Sequence, residues 1–451
     1  MAYEFSTPDR PRHVVAIVGG AVAGSEAASL CADRGILAIV LEQNERPFGK
    51  IEDGLPRWHE KLRDKEYAQI GRNLAKSGVL FVPRTKLGRD VTLDTLLHAW
   101  GVNAVLLASG AWRDRPLFGD SPASEAPGLV YQNPFVYWYN HYPDQGFSGQ
   151  HFEVHDGAAV IGGGLASIDV AKIINCELYK RALAARGIRV TTLDLEHAGI
   201  PETLAKHALS AADLGLKGAT LYYRREKSAM PLASAPDNAT PEQLAKVAQV
   251  RAKVMDKVTE KYLVRFAGNH SPLEPMLENG RLVGIRFQRT RTNQGKLESI
   301  PGDVVDVRSP LVVSSIGSVP TPVEGLPMKG ELVDYADWDT GAVRGLDHVF
   351  GLGNVLTGKG NIKESRKSSA EISKQVLRYL GLDGEFSLDS AHAAARAAAA
   401  VTLDAAVAAR PALSPEAIGR IHEGVRALWS KVGYAGDYDA WIASVKPQGD
   451  E

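Results

Sequence analysis

Two stretches of this chain set small residues where a phosphate could approach the backbone. In the first, the apolar run Val14–Val18 stops at Gly19-Gly20-Ala21-Val22-Ala23-Gly24, a helical pattern begins, and a second apolar run, Ile36–Leu41, ends in Glu42. In the second, Ala158–Ile161 runs into Gly162-Gly163-Gly164-Leu165-Ala166-Ser167 and another helical pattern. A turn free of bulky side chains lets a pyrophosphate lie against backbone N–H groups at a helix N-terminus, where the helix dipole favours negative charge. A carboxylate at the end of the following strand accepts hydrogen bonds from ribose hydroxyls. The two turns therefore predict two dinucleotide sites, the alternative being a plain structural strand–turn–helix unit used twice. Both depart from the G-x-G-x-x-G spacing. The first has Ala21 at the middle position, which narrows the approach to the diphosphate. The second ends in Ser167, still small enough for close helix–strand packing.

The residues after each turn differ, and so does the nucleotide they suit. Glu42 suits an adenosine that keeps its 2′-hydroxyl, as in FAD or NAD. After the second turn, the run Ala219–Tyr223 leads directly into Arg224-Arg225, and guanidinium groups bind a 2′-phosphate through forked, charge-assisted bonds. That suits NADPH. Asp194 lies nearer the usual spacing and would favour NADH; the arginines are preferred because they are adjacent and follow a strand. FAD together with NADPH makes hydride transfer the expected reaction, with the flavin supplying the chemistry and the protein supplying position and electrostatics. The two cysteines, Cys31 and Cys176, both fall inside helical patterns with no C-x-x-C. Disulfide frameworks, zinc sites, iron–sulfur clusters and redox dithiols are thereby disfavoured, so electrons must leave for another acceptor.

The elements that must position these residues follow from pattern and length. A chain of 451 residues exceeds one ordinary core. Lys plus Arg (52) nearly balance Asp plus Glu (53), so no global field favours nucleic acid or membrane. The expected fold is α/β, with two Rossmann-like domains and a helical tail. A helical extension is expected over 385–451. The Pro- and Gly-containing stretch Arg46–His59 reads as a loop able to fold over the first nucleotide. Helices are expected at 60–76 and 239–262. Strands are expected at Val79–Val82, Ala104–Leu107, Leu311–Gly317 and His348–Phe350, with a short one at Ile188–Leu193. The Ala-rich stretch 391–413 carries charges and reads as an amphipathic helix. Met1–Arg12 has no apolar segment of signal-peptide type, which points to a cytoplasmic protein.

Several of these stretches fall, in order, on the motifs of one family. Phe135-Val136-Tyr137-Trp138-Tyr139-Asn140-His141-Tyr142-Pro143 resembles the F-V-x-W-Y-N-x-x-P motif of the adrenodoxin reductase family. Pro47-Phe48-Gly49 through His59 is similar to that family's P-[YW]-G-L-V-R-x-G-V-A-P-D-H loop, and Ala166–Ala171 to V-A-L-D-V-A. Tyr223–Pro231 is closer to the Y-R-R-x-x-A-E-M-P of glutamate synthase small subunits. The resemblance covers roughly residues 13–380. It implies a two-domain NADPH:ferredoxin-type flavoprotein reductase whose FAD-binding domain is split between residues 1–118 and 320–384 around an NADPH-binding domain inserted at 119–319, with His59 near the flavin and paired with Asp169 on a proton path. It further implies cofactor contacts from Gly49, Lys50 and Gly353, Asn354 beside the ribityl or diphosphate, and hydrogen bonds from the backbone of Gly360, Asn361 and Ile362 to the flavin pyrimidine edge. Lys86 and Gly110 fall at the adenosine end, and Leu165 replaces an Asn of the second turn. The implied partner is a small ferredoxin-like electron carrier, with Lys359, Lys363, Arg366 and Lys367 as a basic docking cluster. The other readings are an electron-input subunit of a larger complex and a non-catalytic flavoprotein.

Overall fold

The computed structural model describes residues 10, 12–233, 238–357, 389–408 and 410–445. Two parallel sheets organise it. The first is built from β1 (Val14–Val18), β2 (Leu37–Leu41), β3 (Val79–Val82) and β4 (Ala104–Leu107). Every residue of these four strands is buried, which is why they read as unbroken apolar runs rather than alternating ones. The chain then leaves through the two-residue β5 (Arg113–Asp114) and builds a second sheet from β6 (Leu129–Tyr131), β7 (Ala159–Gly162), β8 (Thr220–Tyr222) and β9 (Arg265–Ala267). A three-stranded antiparallel sheet follows, comprising β10 (His270–Glu278), β11 (Arg281–Asn293) and β12 (Lys296–Arg308). β13 (Val312–Ser315) returns to the second sheet, in the order β6-β13-β7-β8-β9, with every pairing parallel.

β14 (Ser318–Val319) pairs antiparallel with β5, so the outgoing and returning strands form one ribbon between the two sheets. After the hairpin β15 (Met328–Lys329) and β16 (Leu332–Val333), the strands β17 (Tyr335–Asp337), β18 (Ala342–Val343) and β19 (Val349–Gly351) complete the first sheet. Its order is β17-β18-β19-β4-β1-β2-β3. β1, β2, β3, β4 and β19 are parallel, so their C-terminal ends share one edge.

Helices fill the crossovers: Val22–Asp33 and Glu60–Leu74 in the first sheet, Leu165–Ala184 in the second. The β7-to-β8 crossover also holds the short helices Thr192–Ala198, Ile200–Ala205 and Ala211–Leu214. The expected strand at 188–193 does not form. Thr191 instead caps the Thr192–Ala198 helix through a capping box with Asp194. The C-terminal region folds into helices Asp389–Ala408, Pro415–Val432 and Tyr438–Ser444, which pack on the first sheet's core. His392 joins the first of these to the nucleotide fold, its two ring nitrogens lying 2.8 Å from Glu26 Oε1 and 2.5 Å from Glu66 Oε2. Among the described residues no helix is long and apolar enough to cross a membrane.

Candidate functional site

Both glycine turns lie at the C-terminal edges of their sheets, where strand ends and helix N-termini leave room for a ligand. Gly19 has φ +99° and donates its N–H to the Leu41 carbonyl at 2.8 Å, tying the turn to the end of β2. A Cβ on Gly19 would lie 2.7 Å from Ala108 O, and one on Gly24 1.8 Å from Gly19 O. Gly19 thus serves both the backbone conformation and a close strand approach, and Gly24 lets the helix press on the turn. Ala21 is the N-cap of the Val22–Asp33 helix. Its methyl abuts Gly49, 3.0 Å from where a Cβ on that residue would stand, and Gly49 itself has φ +50°. The extra methyl in the first turn is therefore matched by a glycine in the facing loop.

Glu42 is buried at the end of β2. Its Oε2 accepts the Gly20 N–H at 2.9 Å and its Oε1 the Asn44 N–H at 2.9 Å. The Gln43 N–H also bonds the carboxylate, which with about four acceptor directions keeps room for a further donor. Burial pushes the carboxyl up to about 7, against these backbone bonds. Along the same edge stand Gly110 (φ +72°) and Gly353 (φ +71°), the latter packed on Ala23 so that a Cβ would meet it at 2.9 Å. Asn354 is exposed at the start of the Asn354–Thr357 helix, and Lys86 is exposed beyond β3. Gly360, Asn361, Ile362 and the basic cluster Lys359–Lys367 lie outside the described residues.

The second turn is tighter at its base and open at its tip. A Cβ on Gly162 would lie 2.5 Å from Ser315 O and 2.6 Å from Ser167 Cβ, whereas nothing described lies within 4 Å of one on Gly164. Ser167 donates its hydroxyl to Gly164 O at 2.6 Å, fastening the turn to the first helical residues beside Leu165. The Tyr223 ring covers Gly163, 2.2 Å from a Cβ placed there, and the Tyr223 hydroxyl donates to Ala229 O at 3.2 Å. Arg224 and Arg225 follow on the same edge. Thr290 Oγ1 donates to Arg224 O at 2.7 Å and Asn269 N–H to Arg225 O at 3.2 Å, so the backbone of the pair is fixed while the side chains remain available. Arg224 is exposed, and the buried Nε of Arg225 has no partner among the described residues. Asp194 is spent in its capping box, accepting from Thr191 N at 2.8 Å and Thr191 Oγ1 at 2.7 Å, and stands at no strand end. The arginines follow directly on β8, whereas Asp194 lies within the short Thr192–Ala198 helix.

These features meet the demands of two dinucleotides: cradles that a Cβ would fill, no carboxylate in the first turn of either following helix, spare acceptor capacity on Glu42, and an orphaned guanidinium N–H on Arg225.

The loop between the two folds is held in place by the Phe135–Asn140 motif. Asn140 is buried on the Gln132–His141 helix; it accepts the Arg57 N–H at 3.0 Å and donates to Glu52 O at 2.8 Å and Leu55 O at 2.9 Å. The Arg57 guanidinium lies over Tyr139 and Tyr142, 4.6 and 4.8 Å from the ring centroids. His141 binds Asp53 at 3.0 Å. Lys50 crosses to the ribbon, its Nζ 3.2 Å from Asn133 Oδ1 and 3.4 Å from Ser318 Oγ, above the face of Trp112. Burial pushes the nearby Asp114 carboxyl up to about 6, with Lys50 opposing.

The loop ends in Trp58-His59, both buried. Burial, then the Lys172 cation, hold the His59 imidazole down at about 3, so it is neutral across the ordinary range. Asp169 is buried near the start of the Leu165–Ala184 helix. Lys172, one turn further along, has its Nζ 4.7 Å from the Trp58 ring centroid. Sequence reasoning missed the clamping role of Asn140 and the whole of Lys172. The one signal for the latter was a lysine in an otherwise apolar helical stretch.

Two parallel nucleotide folds, the second inserted into the first through a double-stranded ribbon, with a glycine turn at each sheet edge, define the class. Comparisons with known proteins point the same way. The chain is 25% identical over 375 residues to the mitochondrial NADPH:adrenodoxin oxidoreductase of Arabidopsis thaliana, covering 75% of this chain and 76% of that one. To the Homo sapiens protein of the same name it is 26% identical, with 71% and 69% covered. To the small chain of glutamate synthase [NADPH] from Bacillus subtilis it is 23% identical, with 81% and 67% covered. Among solved structures, Mycobacterium tuberculosis FprA in complex with NADPH superposes with a TM-score of 0.62 at 20% identity, over 93% of this chain and 91% of that one. No family model matches the chain. The α/β fold and the resemblance to the adrenodoxin reductase family, with its link to glutamate synthase small chains, are both borne out.

Proposed function

We propose that the protein is an NADPH-dependent flavoprotein reductase that binds FAD on the first glycine turn and NADPH on the second, and delivers electrons to a small iron–sulfur carrier. The observation that carries this reading is the asymmetry of the two sites: a buried carboxylate with spare acceptor capacity at one, and a backbone-pinned arginine pair with an orphaned N–H at the other. When bound, the two cofactors supply hydride transfer from nicotinamide to flavin and single-electron release. The residues do the rest. Gly19–Gly24 and Glu42 hold the FAD diphosphate and ribose, with Lys86 and Gly110 at the adenosine end. Gly49, Lys50, Gly353, Asn354 and Gly360–Ile362 line the flavin side. Gly162–Ser167 receive the NADPH diphosphate, and Arg224 and Arg225 take its 2′-phosphate. The ribbon β5–β14 fixes where the two parts of the FAD domain give way to the inserted domain, and holding the rings in an attack pose is the main catalytic contribution. His59, neutral and shielded, exchanges a proton beside the flavin and is oriented with Asp169.

The carrier is of ferredoxin type and the compartment is the cytoplasm. Catalytic reduction of a [2Fe–2S] carrier by NADPH, slowed by added salt, is the expected result. A flavin that is reduced by NADPH but gives its electrons to no iron–sulfur carrier would reject the acceptor.

A further inference from the structure

The Leu165–Ala184 helix carries a charge that nothing in the proposed hydride path uses. Lys172 is fully buried. Its ammonium lies 3.0 Å from Glu196 Oε1, 4.7 Å from the centroid of Trp58 and 4.5 Å from that of Tyr262. Glu196, also buried, accepts the Tyr262 hydroxyl on the same Oε1 at 2.9 Å. A lysine taken wholly out of water bears a desolvation penalty of several kcal/mol, which its partners only partly offset. A methionine of similar length would fill the same space without that penalty. An aromatic face on either side and one carboxylate form a built socket for a cation, and one wall of the socket is the residue next to His59.

We propose that Lys172 is a positioning residue of the His59 site, its ammonium clamped between Trp58 and Tyr262 and tied to Glu196 so as to fix the Trp58–His59 segment and supply a positive field beside the imidazole. The inference rests on the reading that His59 works beside a bound flavin. Four separate segments of the chain meet at the socket. Trp58 comes from the loop of the first fold, Lys172 from the first helix of the second, and Glu196 and Tyr262 from the helices Thr192–Ala198 and Pro241–Tyr262. The loop's catalytic end is thus anchored to the NADPH-side fold by a cation–π contact, an attraction strongest when desolvated. The charged groups acting on His59 are Lys172 and Glu196 across the interface and Arg63 on its own helix, and after burial the Lys172 cation is the largest influence. Asp169, also buried, precedes Lys172 by one turn on the same helix.

The test uses full-length protein carrying isotope-labelled histidine, with bound flavin first measured by absorbance. Wild type, Lys172→Met and Lys172→Arg are titrated by NMR, and flavin reduction by NADPH is followed against pH. In wild type the His59 imidazole stays neutral down to acid unfolding. In Lys172→Met its titration rises by about one pH unit or more, and flavin reduction acquires an acid limb that wild type lacks. Lys172→Arg keeps the wild-type behaviour. If Lys172→Met does not fold, Lys172→Met with Glu196→Gln removes both buried charges and shifts His59 upward by a smaller amount. An unchanged His59 titration in a folded variant overturns the proposal. A shifted His59 in a protein that holds no flavin leaves the proposal standing and rejects the reductase reading instead.

Discussion

Asn140→Ala removes the side chain that clamps the loop ending in His59. Asn140 makes three hydrogen bonds to that loop's backbone, at 3.0, 2.8 and 2.9 Å, from a buried position. A neutral hydrogen bond contributes about 1 kcal/mol net, so their joint loss costs about 3 kcal/mol. At 1.4 kcal/mol per factor of ten, the loop opens roughly 100-fold more often. Hydrogen exchange reads this directly: amides of residues 51–58 should accelerate by about that factor, while those of β7 stay protected. Flavin reduction should slow because Trp58 and His59 are no longer held, whereas NADPH affinity, set at the other sheet edge, should change little. Unchanged exchange across 51–58 would refute the clamp. A loss of protection throughout the second sheet would show that Asn140 serves the core rather than the loop.

Arg225→Ala should weaken NADPH binding by roughly 10–100-fold, the worth of a charge-assisted contact, and leave NADH nearly untouched; equal losses for both nucleotides would contradict the assignment. Arg224→Ala, at an exposed position, should act in the same direction but less. His392 sits between Glu26 and Glu66, whose bonds raise its pKa to about 9 although burial opposes them. A group raised in the folded state stabilises fully below its unfolded value, near 6.5, and loses that contribution as pH rises through the folded one. Thermal stability should therefore decline between about pH 6.5 and 9 in wild type and much less in His392→Gln; a wild type as stable at the upper pH as at the lower would refute the latch.

Much of this was legible in the chain. Fully buried parallel strands give continuous apolar runs, so β1, β2, β4 and β7 were visible; β1, β4 and β7 run into small residues and β2 into Glu42. The place of Arg224 and Arg225 directly after a strand was readable because the apolar run Ala219–Tyr223 ends at them. What sequence pattern misplaced was local and polar. Ile188–Leu193 has strand-like composition, yet Thr191 and Asp194 form a capping box that starts a helix, and this also removed Asp194 from the nucleotide question. The accommodation of Ala21 depends on Gly49, 28 residues away, and no periodicity joins them. The surroundings of Lys172 gave no signal in the sequence because its partners, Trp58, Glu196 and Tyr262, come from three separate segments. The Asn140 motif was recognisable as a pattern, but its function lay in carbonyls that carry no sequence signature.

Flavin binding and its reduction by NADPH are read together in the visible spectrum of the purified protein during anaerobic titration. The protein should carry one FAD per chain, and its flavin absorbance should bleach promptly with stoichiometric NADPH and far more slowly with NADH. A protein that carries no flavin, or a flavin that NADPH leaves oxidised, would contradict the reductase reading.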